Sequence, residues 1–198
     1  MDRTVYFFIS RVLWFIPPIR QYKSRYFLFF LSLTLMDLSS MFIRNVLHSS
    51  TNIHYIVLNL FSIFSVFSFQ QLKKNVIWAV ALSLFFLLVV LFKTDVIFDI
   101  YLLLISQMIL LAVMLKRTTL QIIEDKIINL FYVVFILYFM LQLTRLFNVV
   151  LYFADATYFY ELTTIIDYGI AVFFIVFRED SKKIIFPVKF LEKLESGI

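Results

Sequence analysis

The sequence predicts an all-α protein, a polytopic bundle of about seven transmembrane helices, and three observations carry that expectation. Of the 198 residues, 63% are hydrophobic and 16% charged, against roughly 45–50% and 25% in a soluble globular chain. With a mean hydropathy of +0.95, a single domain of this size has too little interior to hide its apolar surface from water. The apolar residues also come in runs near the ~20 needed to carry a helix across hydrocarbon. Finally, basic residues collect in short clusters between those runs. The runs are continuous rather than alternating, which favours helices over a closed barrel, the other structure that satisfies every backbone group in lipid.

In chain order the expected spans are 4–20, 26–47, 53–71, 75–92, 96–115, 127–148 and 158–177. The first is short, holds Arg11 and meets Pro17-Pro18 near its end. It crosses the membrane, lies in the interface and leaves six spans, or serves as a signal anchor. It does not read as a cleaved signal peptide, because Pro17-Pro18 and Arg20 stand where small residues are needed. The second span carries Asp37 near its middle and Arg44 two turns further along the same face. In the third, Ser62, Ser65 and Ser68 recur every three positions, and in the fourth Ala79 and Ser83 are four apart. Small residues of this kind let helices approach closely. They matter more here because the chain has only two glycines and three prolines. Gly169 is the one glycine before residue 197, so broken transporter-type helices are not expected. The fifth and sixth spans add Gln107, Gln142, Arg145 and Asn148, and the seventh adds Glu161 and Asp167. Residues 1–180 therefore read as one bundle and 181–198 as a short tail. In that tail Val188, Leu191 and Leu194 share a face, which rests on the membrane, meets a partner or is simply solvated.

Charge sets the orientation. Arg20, Lys23, Arg25, Lys73, Lys74, Lys116, Arg117, Lys126, Arg178, Lys182, Lys183, Lys189 and Lys193 all fall in alternate loops on one side. Arg3 and Lys93 belong to the other. The positive-inside rule puts the C-terminus in the cytoplasm and, if the first span crosses, the N-terminus outside. The net charge of +5 is then a loop signature, and no nucleic-acid partner is expected. Tyr6, Tyr22, Tyr26, Tyr55, Trp78, Tyr101, Tyr152 and Tyr158 lie near span ends, as an interfacial aromatic belt requires. Many of the 26 phenylalanines are expected to face lipid. The Phe, Ile and Lys content suggests an AT-rich bacterial genome and hence a bacterial inner membrane.

The composition excludes several chemistries. Without cysteine there is no disulfide, thiolate zinc site, iron–sulfur cluster or thiol nucleophile. His48 and His54 match no metal spacing, so neither metal nor cofactor is expected. No lysine falls in the last span to carry a retinal Schiff base, and the common nucleotide, hydrolase and zinc-protease motifs are absent. What remains is charge inside the bilayer, which costs about 2.5–3.5 kcal/mol or more at its centre and so marks candidate sites. Asp37 and Asp167 are the deep acids, each either an acid/base or cation site or a structural partner. Arg44, Gln142, Arg145 and Glu161 are candidates for a ligand pocket or for ion pairs, with Asp155 and Asn148 near the same outer end.

One family resemblance follows from these residues. Residues 26–43, YFLFFLSLTLMDLSSMFI, followed by IHYIVLNLFSIFSVFSF at 53–69, resemble the YhhN-like lysoplasmalogenases. That family has a span ending in Gly-Asp and then a helix starting near a histidine. The similarity continues at YFMLQLT (138–144) and IDYGIAVFFIV (166–176). The resemblance implies a compact helical bundle that cleaves the vinyl-ether bond of lysoplasmalogens with intramembrane aspartates, Asp37 standing for the first. The chain departs from it where Gln142 replaces the second aspartate and Met36 the glycine, and it has one helix fewer.

Three functions are compatible with the sequence. The first is a non-enzymatic membrane module: a sensor, a scaffold or a subunit of a complex, with a membrane-protein partner or a second copy. The second is a lipid hydrolase using Asp37 and Asp167, and the third a small transporter or channel with those acids on a proton or cation path.

Overall fold

The computed structural model describes residues 3–46, 52–67 and 96–188, together with residues 73, 76, 77, 80, 83 and 84. The chain is mostly helical. Helix α1 spans Arg3–Arg20, α2 Phe27–Asn45, α3 Asn52–Val66, α4 Val96–Leu120, α5 Leu130–Leu151 and α6 Ala156–Val176. Three stretches are long and apolar enough to cross a membrane: Phe98–Asp125, Leu130–Leu151 and Thr157–Val176. Most of the expected fourth span, with Ala79 and Trp78, lies outside the described residues, as do His48, Ser68, Lys93 and the tail beyond Val188. The described positions within that span, from Val76 to Leu84, are helical.

Local chemistry explains where the helix ends differ from the apolar runs. The sixth run was expected at 127–148, but α5 begins at Leu130. Residues Ile127–Asn129 instead form a short strand β1, and the Asn129 side chain caps the helix by accepting from Phe131 N at 2.9 Å. Helix α5 ends at Tyr152, which takes the left-handed conformation more usual for glycine. Asp155 starts α6 two residues early by accepting from Thr157 N and Tyr158 N. Helix α4 runs past its apolar stretch through Lys116 and Arg117, and one wide turn at Gln121–Asp125 closes it.

Among the described helices each packs on its neighbour in sequence, and α1 closes the ring against α6. Helix α1 therefore packs as a member of the bundle. Pro17 and Pro18 sit inside it. Pro18 has no N–H to give the Trp14 carbonyl four residues back. The Thr34 hydroxyl of α2 donates to that carbonyl instead, at 2.7 Å.

Hydrogen bonds also show which helix ends meet. Arg117, near the end of α4, donates to the Val66 carbonyl at the end of α3 and to the Tyr26 hydroxyl at the start of α2. Gln21, just after α1, donates to the Phe174 and Phe177 carbonyls at the end of α6. So α1, α3, α4 and α6 all finish at one end of the bundle. Helices α3 and α4 therefore run the same way.

The interior is aromatic. Phe29 and Phe30 of α2, Phe131, Phe135 and Phe139 of α5, and Phe174 of α6 are all under 2% exposed. Their ring centroids stand 4.9–5.7 Å apart in tilted and edge-to-face pairs. Many phenylalanines are expected to face lipid. Phe42, Phe61 and Phe98 are exposed as expected, but the core is built of the same residue. Tyr26 also departs from the interfacial belt. It sits at a helix end but is fully buried against Phe131 and Phe135. Tyr22, Tyr101, Tyr152 and Tyr158 are exposed, as a belt requires.

The start of the segment read as a short tail is held against the bundle. Strand β2, Ile185–Pro187, pairs antiparallel with β1, Ile128 opposite Phe186. Ile184 is buried in the core, and Val188 N donates to the Lys126 carbonyl at 2.8 Å.

A buried aspartate at the junction of three helices

Asp167 lies eleven residues into α6, about 17 Å along the helix at 1.5 Å per residue. It is 5% exposed. The indole N–H of Trp14 in α1 donates to its Oδ2 at 3.1 Å. The Arg145 guanidinium of α5 stands 3.9 Å from the same oxygen. One carboxylate thus joins α1, α5 and α6.

Arg145 is held at several points. Its Nε donates to the Thr163 hydroxyl at 3.0 Å and its Nη2 reaches that of Thr164 at 3.5 Å. The guanidinium also lies 5.1 Å from the centroid of the Tyr160 ring. Both threonine hydroxyls donate to the Tyr160 carbonyl and so present lone pairs to the arginine. Helical spacing explains the arrangement. Tyr160, Thr163, Thr164 and Asp167 fall at intervals of three and four, so they share one face of α6. Trp14 packs its ring on Tyr138 and Phe174 at 5.2 and 6.4 Å, which fixes the indole against the aspartate.

The other expected site residues have different places. Gln142 is half-buried on α5, one turn before Arg145. Glu161 is exposed on α6. Asp155 is the cap of α6, and buried Asn148 accepts from Ala154 N to close the turn before it. Asp37 and Arg44 lie within α2, but their side chains, like that of Arg11, fall outside the described residues. A second polar contact joins α3 to α4. Asn59 donates to Ser106 and accepts from Gln107 Nε2 at 3.1 Å. His54 of α3 meets Ser39 of α2. Among the described residues no three histidine or acidic side chains come together as a metal site would need.

Several participants escaped the sequence reading. Trp14 was readable in principle, since a tryptophan in mid-span beside a proline pair is away from both interfaces and its N–H needs a buried acceptor. Asp99, in the first turn of α4, is 5% exposed. Arg117 was counted as a loop cation, yet it enters the bundle and stacks 5.5 Å from the Tyr26 ring. Nothing in the sequence marks Gln21 as a buried clamp.

Comparison of the chain with protein-family models, with curated proteins and with solved structures finds no match in any of the three.

Proposed function

We propose that this chain is a multi-pass integral membrane protein that works by binding rather than by catalysis, as a sensor, scaffold or subunit of a membrane complex. The observation that carries the reading is the use made of Asp167. A general acid or base has to stand within hydrogen-bond reach of the group it serves. Asp167 is instead buried between a tryptophan N–H and an arginine from two other helices, the setting of a structural tie.

Seven crossings, with the N-terminus outside and the C-terminus cytoplasmic, fit the parallel course of α3 and α4. Arg20, Lys23, Arg25, Lys116, Arg117, Lys126, Lys182 and Lys183 lie on or beside helix ends that meet at one end of the bundle, in agreement with the positive-inside rule. A bacterial inner membrane is the setting the composition suggests.

Native mass spectrometry of the full chain released from lipid nanodiscs tests the reading. A defined oligomer or an added protein mass is the expected result. The competing lipid-hydrolase reading requires turnover of a lysoplasmalogen that is lost in Asp37→Asn; that result would overturn the proposal.

A further inference from the structure

We propose that the turn joining α1 to α2 binds anionic phospholipid headgroups in the leaflet at the basic end of the bundle. The inference rests on the chain being a membrane protein. Residues 19–25, IRQYKSR, hold three cations and no acid. The turn is folded rather than loose. Gln21 N donates to the Pro17 carbonyl at 2.8 Å, Ser24 N to Gln21 at 2.8 Å and Phe27 N to Ser24 at 3.2 Å. Lys23 takes a φ of 68°, which turns the chain. Gln21 at its centre is fully buried and clamped to the end of α6.

With Gln21 inside, most of its neighbours in the turn face out. Ile19 is 76% and Tyr22 59% exposed, and Arg20, Lys23 and Arg25 are exposed with them. The Tyr22 ring packs edge-on to Phe27 at 5.5 Å, and the Lys23 ammonium stands 5.8 Å from its centroid. Apolar side chains for the acyl boundary thus sit beside cations for the phosphate level, the pairing that recognises anionic lipid at a helix end. Helix α2 begins here with no side-chain cap and no acid in its first turn, so its positive end adds to the same field.

The test is native mass spectrometry of the full chain released from nanodiscs of equal phosphatidylcholine and phosphatidylglycerol, counting retained lipids. The wild type should retain phosphatidylglycerol preferentially. Each cation removed should cost about fivefold, so Lys23→Gln with Arg25→Gln should reduce the preference by about 25-fold. Arg20 is left in place because it also donates to the Val176 carbonyl. Lys23→Arg with Arg25→Lys should keep the preference, and so should Lys182→Gln with Lys183→Gln. An inserted wild type without preference overturns the inference. So does a double glutamine variant that keeps it, or an equal loss on changing Lys182 and Lys183. A chain released from membranes by alkaline wash would instead overturn the membrane reading itself.

Discussion

Asp167 and Arg145 should be strongly coupled, and a double-mutant cycle can measure how strongly. The guanidinium nitrogen and the carboxylate oxygen are 3.9 Å apart, with side chains 14% and 7% exposed. At an effective dielectric constant near 20 that separation gives a gross attraction of about 4 kcal/mol. The distance exceeds a hydrogen bond, and burial costs both charges hydration, so the net coupling should be about 2–3 kcal/mol. Arg145→Met leaves an unpaired buried carboxylate and should cost about 3–5 kcal/mol. Asp167→Asn keeps an acceptor for the Trp14 N–H but removes the charge. In the double variant the arginine no longer leaves an orphan, so it should be more stable than the sum of the single losses implies. The assay is reversible denaturation in detergent micelles, followed by tryptophan fluorescence, for wild type, both single variants and the double. A coupling below about 0.5 kcal/mol, the level of independent sites, would refute the assignment of this pair as the tie between α5 and α6.

Three further outcomes follow from single contacts. Thr34→Val deletes the hydroxyl that donates to the carbonyl Pro18 orphans and should cost about 1–3 kcal/mol, while Thr34→Ser should restore most of it; the same denaturation assay reads both. Gln21→Leu strips two carbonyls at the end of α6 of their donor, so amide exchange by mass spectrometry should rise in residues 174–178 before it rises elsewhere. Phe135→Ala removes a ring packed against Tyr26, Phe29, Phe30 and Phe174 and should destabilise the bundle by about 3–5 kcal/mol, checked by loss of thermal stability in detergent.

The sequence made the helices legible because bilayer thickness and backbone hydrogen bonding leave little choice. Where the chain must be apolar for some twenty residues, a helix follows, and α2, α5 and α6 sit within three residues of their expected starts. Their ends were harder to place. Caps such as Asn129 and Asp155 depend on a single side chain, and the pairing of β1 with β2 joins residues 58 positions apart. Which face of a helix points inward was harder still. In a lipid-exposed helix the outside is as apolar as the core, so hydrophobic periodicity fades. Phe135 inside and Phe98 outside carry the same side chain. Asp167 stood out because charge is costly there, but Trp14 and Arg145 as its partners depend on how α1 and α5 pack against α6.

That closure explains where the polar residues are. Short connections hold α1 to α2, α2 to α3 and α5 to α6, so those pairs meet whatever their faces offer. No connection holds α1 to α6, because they lie at opposite ends of the chain. Apolar surface does not drive them together either, since lipid tails solvate leucine and phenylalanine as well as another helix does. The contacts there have to be directional. Trp14 reaches Asp167, Arg20 reaches the Val176 carbonyl, and Gln21 reaches Phe174 and Phe177. The same end of α6 is tied to α5 by Asn129 donating to the Glu179 carbonyl and Tyr132 to its carboxylate. The polar groups between α1 and α6 are therefore first a device for closing the ring. Mid-bilayer charge marks a catalytic or transport site only after that use is subtracted.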